Sequence, residues 1–566
     1  MGESNSDESF DSILLALNWR GLYQIYQLTA LLLQAFPSAL AVSCIIFTGF
    51  HVPFHCKELN RTSVESVLGD IDTGLNITYH ECDITIITNM SDHFESKRLT
   101  CLEGYEYGQA REMSLVSEWD LVCENESLGD LLQTFYMIGL GVGAAVFAAI
   151  ADMYGRKFTA VTAGVLSLAV GVGMSYVPQY AFFAAMKMLQ AAALMGLSVT
   201  GTSLSLELVP AKQRSTISVA MCWVWSGSTV IYAVFAYLTR NVSWRIHQLA
   251  VGLSSCYFVF LPWLLDESNR WLAAKKKYHL IERNLKKACR INRVNEDDIM
   301  ALFREKVMPH NVQEHHSLLD KDSKLDLDKS ANNGNIQGEK TEEKPVLQIF
   351  KDRQLLLVSA VTWFTWLTDS LTYYGLYLNS TTFHSDKYIG FGLNCITDVL
   401  SVLAFWLTVD RFGRKRTCQV FHLMAGLSLI ASVVFDNFKG AVPSFSVAVT
   451  TFSLLGKFAI ATSYNIIWLY TPEIFPTSIR NVGIGLASVS ARVGGLFAPF
   501  TRTVYRYFPW VPGSVFGTFC IVVTLLVRFL PETKNQELPQ TIQEMKQWIR
   551  KQRETVQKSN TPDNDT

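Results

Sequence analysis

The chain has 566 residues, of which 49% are hydrophobic, 12% aromatic and 17% charged, and its formal net charge is −1. A balance this close to neutral excludes a generally basic nucleic-acid binder, and a positive mean hydropathy at this length excludes a string of ordinary soluble domains. About twelve apolar runs approach the ~20 residues that a spanning helix needs, so the expected fold class is an all-α membrane protein with twelve transmembrane helices.

Residues 1–22 are acidic and serine-rich and lack the basic start and cleavage site of a secretory signal. Span one, from about Tyr23 to Phe50, is therefore expected to remain, with the N-terminus cytoplasmic. Gln24, Gln27, Gln34 and Pro37 inside it point to a cavity-facing side. Residues 51–128 form a polar segment holding Cys56, Cys82, Cys101 and Cys123 beside the sequons at Asn60, Asn76, Asn89 and Asn125. Four cysteines among glycosylation acceptors indicate an extracellular, disulfide-stapled loop, with three possible connectivities. Span two ends in the basic turn from Asp152 to Lys157, which marks the cytoplasmic side. Span four ends in a second basic turn, Glu207 to Arg214, and Asn241, between spans five and six, falls outside. Residues 23–265 are thus a six-helix half.

Residues 266–353 form a cytoplasmic segment, helical in pattern from about 279 to 307 and a flexible linker from 317 to 344. A second six-helix half occupies 354–530, with Asn379 outside and the turn from Asp410 to Arg416 inside; residues 531–566 are a cytoplasmic tail. Six sequons land on the outer face. The seventh, Asn564, lies at the extreme end and is expected to be unused.

Three features recur. Asp-x-x-Gly-Arg-Lys starts at Asp152 and again at Asp410, 258 residues on; Glu-x-x-Pro-x-x-x-Arg starts at Glu207 and at Glu473, 266 on; Glu267 and Glu532, after spans six and twelve, are 265 apart. A near-constant offset implies two halves of the same orientation, the parallel-repeat plan with a substrate site near midplane between them.

With these repeats in place, the chain resembles the major facilitator superfamily, and more narrowly solute carrier family 22, the organic cation, anion and zwitterion transporters. The resemblance rests on the cysteine-bearing first loop closing with Glu118-Trp119-Asp120-Leu121-Val122-Cys123, the span-seven segment Trp366 to Leu376, the turn from Glu473 to Arg480, and Pro531-Glu532-Thr533. The chain departs from the family pattern at Ala148, Met153, Lys187, Asp266 and Asn269. The resemblance implies that Asp152, Arg156, Asp410 and Arg414 latch the cytoplasmic side, with Glu207, Arg214, Glu473 and Arg480 as partners; the plainer alternative is that basic turns only fix orientation. It also implies that Trp366, Tyr373, Tyr374, Tyr464 and Asn465 line a central cavity, where aromatic faces suit bulky ions.

Charges at cavity depth carry the substrate argument. Arg492 lies twelve residues past Arg480, ~18 Å along a helix, beyond the middle of a ~30 Å hydrocarbon core. Its helical face carries Gly485, Ser488 and Gly495, which leave the guanidinium uncovered for a ligand or a packed helix. Asp398, twelve residues before Asp410, reaches the same ~18 Å depth, where the two charges could clasp a zwitterion or neutralise each other. Asp369 and Lys457 fall nearer the outer mouth and are expected first as an external gate pair or snorkelling groups, and second as ligand contacts. In the resembled family an arginine at the position of Arg492 goes with anion and carnitine-type carriers, and a guanidinium holds a carboxylate bidentately. Zwitterions are expected first, organic anions next and organic cations third. No phosphate-cradling loop, catalytic triad or metal-ligand spacing is present. The expectation is a non-enzymatic, alternating-access carrier in the plasma membrane. Its partners are small organic ions, a coupling or exchange ion and the lipid bilayer; it uses no cofactor, no ATP and no nucleic acid. A membrane receptor or adhesion protein built around the first loop is the alternative from another class.

Overall fold

A computed structural model describes residues 3–60, 75–90, 93–210, 213–307, 349–382, 386–438, 444–476, 479–534, 536, 539 and 542–560. Spans one to six are Leu22–Thr48, Cys123–Tyr154, Arg156–Tyr176, Tyr180–Glu207, Thr216–Leu238 and Trp244–Leu264. Spans seven to ten are Arg353–Leu378, Lys387–Phe412, Arg414–Phe438 and Phe445–Ile474, and span twelve is Trp510–Phe529. Span eleven is a bent pair, Val482–Phe497 and Phe500–Tyr507, turned by 41°. Pro499 sits in the break, where it lacks an N–H and its ring opposes continuation of the preceding helix. Eleven unbroken candidates and this bent one make the twelve expected among the described residues. Helix starts are marked locally: the side chain of Asp352 accepts from the backbone N–H of Gln354 and Leu355, both at 3.0 Å, to open span seven.

Beyond span one the first loop folds on its own small sheets. Strands β1 (Phe54–Cys56) and β5 (Tyr105–Tyr107) pair antiparallel, as do β2 (Leu75–Tyr79), β3 (Asp83–Met90) and β4 (His93–Thr100) in sequence order. Of the three connectivities the structure takes Cys56–Cys101 and Cys82–Cys123. Asn60, Asn125 and Asn241 are exposed. Asn379 is half-buried, and its amide donates to the Gly375 carbonyl and to Thr501 Oγ1. The linker 317–344 and Asn564 lie outside the described residues.

The N-terminal residues hold a helix that composition alone did not announce, Glu3–Ala16. It buries Phe10, Ile13 and Leu17 against Ile281, Leu285, Ile299 and Phe303 of the helices Tyr278–Asn292 and Glu296–Lys306, and Arg270 ties to Asp11 at 2.7 Å. A matching helix, Ile542–Asn560, buries Met545 and Ile549 on the second half.

The repeat seen in sequence is a repeat in space. Glu267 accepts from the backbone N–H of Arg156 (2.9 Å) and Lys157 (3.2 Å), at the first turn of span three. Glu532 does the same for Arg414 (2.9 Å) and Lys415 (3.2 Å), at the first turn of span nine. A carboxylate at a helix N-terminus satisfies orphan donors and the helix dipole together. Each turn needs glycine: Gly155 has φ +108° and Gly413 φ +91°, and a Cβ at either would fall 2.3 or 2.5 Å from the Glu267 or Glu532 carboxylate. Gly413→Ala is therefore expected to cost ~1–3 kcal/mol through backbone strain and the lost contact, lowering the unfolding temperature of detergent-purified protein. Gly392→Ala, where the added methyl meets nothing within 4 Å, is expected not to lower it.

Candidate functional site

Arg492 stands on the first segment of span eleven, half-buried. Its Nη2 donates to Met195 Sδ in span four at 3.5 Å, its Nε is buried without a hydrogen-bond partner, and its charge is felt at the phenols of Tyr136, Tyr374 and Tyr464. Gly141 of span two faces this side chain, and a Cβ there would sit in ordinary contact with it at 3.9 Å. Among the described residues no carboxylate lies within 4.0 Å of this guanidinium. The group is held by soft and aromatic neighbours from both halves and keeps its hydrogen-bonding capacity largely unspent.

The other intramembrane charges pair differently from the sequence expectation. Asp398 does not meet Arg492: its Oδ1 accepts from Lys457 Nζ at 2.9 Å and its Oδ2 from the Tyr373 hydroxyl at 3.2 Å. Lys457 lies over the Tyr373 ring, 3.3 Å from the centroid, and both charged side chains are buried. Lys457 therefore does not pair with Asp369. Asp369 Oδ1 lies 2.9 Å from His422 Nε2, both fully enclosed between spans seven and nine. Counting residues from a helix end gave depth along the axis but not the direction around it, and direction chose the partners.

The aromatic residues divide. Tyr464 and Asn465 are half-buried, and Asn465 reaches Ser401 Oγ at 3.5 Å. Tyr373 and Tyr374 pack edge to face at 5.3 Å and are 7% and 9% exposed. Trp366 is sealed at 1% exposure, donating from Nε1 to Thr471 Oγ1 at 2.8 Å against the edge of Trp468, so in this conformation it supports the wall from behind. Sequence reasoning missed Tyr136, Met195, Gly141 and His422. A lone histidine within the apolar ninth span was the one available signal. Lys187, noted only as a departure, is buried and donates to the Ala41 carbonyl at 3.0 Å.

The duplicated turns hold ion pairs inside each half: Arg156 to Asp152 (3.3 Å) and Glu207 (3.7 Å), Arg414 to Asp410 (3.0 Å) and Glu473 (3.1 Å). Arg480 donates from Nε to the Phe475 carbonyl at 3.2 Å. Arg214 forms no ion pair among the described residues, and its Nε is buried without a hydrogen-bond partner. Contacts between halves gather at the other end, beneath the disulfide loop. Arg506 pairs with Glu126 and Thr503 with Asp130; Phe47 stacks on Tyr388 at 5.2 Å; Ser43 meets the Tyr377 hydroxyl at 2.6 Å; Lys387 caps the Phe50 ring at 3.2 Å.

Residues 105–545 match the family model "Sugar (and other) transporter". The chain is 32% identical to solute carrier family 22 member 20 of Mus musculus over 466 residues, 81% of this chain and 78% of that one. The chain belongs to solute carrier family 22. Other relatives of similar extent are solute carrier family 22 member 6 of Pseudopleuronectes americanus, 28% identical over 81% of this chain and 77% of that one, and an organic cation transporter-like protein of Drosophila melanogaster, 28% identical over 82% and 78%. Among solved structures, the proton:xylose symporter XylE bound to 6-bromo-6-deoxy-D-glucose superposes with a TM-score of 0.56 at 16% identity, covering 93% of this chain and 99% of that one. At that identity the likeness speaks for the major facilitator fold. This solute carrier is thus a multi-pass membrane transporter, in a family of transporters rather than enzymes.

Removing one partner of a buried ion pair strands the other, at a cost of ~3–5 kcal/mol. Lys457→Met and Asp398→Asn are each expected to lower folded yield and unfolding temperature sharply. The double substitution Lys457→Met/Asp398→Asn is expected to cost much less than the two singles combined, and additive losses in thermal unfolding would show that the pair is not coupled.

Proposed function

We propose that this solute carrier moves small carboxylate-bearing organic ions across the plasma membrane by alternating access, with Arg492 as the group that receives the carboxylate. The observation that carries the reading is the half-buried guanidinium facing Tyr136, Tyr374 and Tyr464 with no carboxylate of the chain within ion-pairing distance among the described residues. An arginine at midplane costs ~2.5 to 3.5 kcal/mol even on the lenient insertion scale, and a solute carboxylate offsets that cost with a charge-assisted, bidentate contact. Because Asp398 is engaged by Lys457, the accessible fixed charge is positive. Organic anions therefore move ahead of zwitterions, and simple cations stay third. A zwitterion remains compatible, since its cationic end can rest on the tyrosine faces.

In the same reading the carrier has its loop end outside and both termini in the cytoplasm, with Asn60, Asn76, Asn89, Asn125, Asn241 and Asn379 as glycan acceptors. The halves are clasped at the extracellular end, while Asp152, Arg156, Glu207, Asp410, Arg414 and Glu473 form the cytoplasmic latch elements that re-pair across the halves when the carrier faces outward. The test is uptake of labelled carnitine, benzoate and tetraethylammonium by cells expressing the parent, Arg492→Lys or Arg492→Ala. Arg492→Ala is expected to lower carboxylate uptake at least tenfold, the equivalent of ~1.4 kcal/mol, with Arg492→Lys intermediate and quaternary amine uptake spared. Equal loss of all three solutes at unchanged surface expression would sink the charge-selection reading.

A further inference from the structure

The buried acid of span seven and the histidine of span nine have no part in the carboxylate site, yet they lie immediately behind it. Asp369 and His422 are both 0% exposed. Neither oxygen of Asp369 receives a well-aligned hydrogen bond, although Oδ1 is 2.9 Å from His422 Nε2. Nδ1 lies 2.9 Å from the Cys418 carbonyl, and Ser463 Oγ lies 2.8 Å from Nδ1 and 3.5 Å from Nε2. A backbone carbonyl can only accept, so that contact places a hydrogen on Nδ1. The hydrogen between Nε2 and Asp369 is then the one that can leave and return. Among the described residues the titratable groups that face the pair are Cys418 on span nine, Tyr464 on span ten and Cys520 on span twelve; span eleven contributes none. Among the described residues no lysine, arginine or second carboxylate is within ion-pairing distance of the pair.

Two further features lie next to this pair. A cavity of about 10 Å³, close in size to the ~10–15 Å³ that one water molecule needs, is lined by Thr362, Thr365, Cys418 and Thr471 together with apolar side chains such as Ile467 and Val527. Thr365 and Cys418 lie one helical turn before Asp369 and His422, so this small, mainly apolar void sits beneath the pair on the side of the Gly-Arg-Lys turns. Ser463, which touches the His422 ring, is followed by Tyr464, which stands in the field of Arg492. A movement of span ten that accommodates a solute at Tyr464 therefore also moves the hydroxyl bonded to His422.

We propose that Asp369 and His422 form a proton-binding site that couples proton movement to solute transport. Intramembrane carboxylates and histidines are costly unless they serve such relays, and histidine is the side chain whose charge changes most readily near neutral pH. The resting pair holds one shared proton and no net charge. Releasing that proton to water on one side leaves the Asp369 carboxylate beside a neutral imidazole, and taking one from the other side restores the pair. One proton crosses per cycle, and no covalent bond or electron is exchanged with the solute. The inference rests on this chain being a transporter and is independent of which solute charge it prefers.

The experiment uses purified full-length protein in liposomes loaded with a pH-sensitive dye and given labelled carnitine, benzoate and tetraethylammonium as a mixture. Counterflow without a pH gradient reports solute exchange, and net uptake under an imposed gradient, with the dye signal, reports coupling. In the parent, a gradient of one sign is expected to raise net uptake several-fold, with proton movement that follows the solute. His422→Gln and Asp369→Asn are expected to keep counterflow but lose the gradient response, whereas a merely structural pair would lose both together. Parent protein that exchanges solute with no proton movement and no response to gradients of either sign would overturn the proposal, whether or not the variants fold.

Discussion

A hydrocarbon layer tolerates charge only where something answers it, and the interior of this bundle is organised by how each charge is answered. Lys187 is met by a backbone carbonyl and the Tyr136 face. Lys457 is met by Asp398 and lies against the rings of Tyr373 and Tyr377. Asp369 is met by His422. Arg492 has phenols and a thioether around it instead of a carboxylate. In the proposed reading the Lys457 pair also decides what the site offers a solute, because it engages Asp398 and leaves the positive charge of Arg492 without a carboxylate among the described residues.

The same economy governs the ends of the spans. In each half a glycine with positive φ lets the chain turn tightly enough for one glutamate to cap the next helix, while the arginine after that glycine reaches a second glutamate at the end of a neighbouring span. Ser268 and Thr533 then hydrogen-bond to those second glutamates, Glu207 and Glu473. Corresponding residues make corresponding contacts in both halves, so each half is stapled at its turn end without using the other. That leaves the contacts between halves to the loop end, and a carrier that must part its halves at one end at a time needs such a division.

Much of this was legible in the sequence, and what escaped shares a cause. Span positions, the duplicated turns and the stapled loop follow from hydropathy runs, offsets and cysteine placement, all of which are properties of the chain in one dimension. The small residues on the face of Arg492 were also readable, but only Gly485 leaves open space, whereas Gly495 is buried against Met137, Ser370 and Tyr374. The partners of Asp398, Asp369 and Lys457 were not readable, since two residues at equal depth can face opposite ways around the bundle. Met195 and Tyr136 escaped for a related reason: they reach Arg492 from the other half, and nothing in their own spans distinguishes them from ordinary packing residues. The two disulfides could not be assigned by spacing, because the strands that bring Cys56 to Cys101 form only in three dimensions.

Span eleven brings these threads together. Its first segment presents Arg492, its second carries Thr503 and Arg506 into contact with Asp130 and Glu126 of span two, and Pro499 breaks the hydrogen-bond ladder between them. An unbroken helix would transmit any tilt of the arginine segment rigidly to the clasp, and separating the halves at the loop end would then drag the guanidinium away from Met195 and Tyr136. With a 41° break, the two segments can move by different amounts. The clasp can open while the arginine keeps its neighbours, or the arginine can shift toward a bound carboxylate while the clasp stays shut. The proline in span eleven thus lets the charge proposed to select the solute and the contacts that clasp the loop end share one helix without being locked to a single motion.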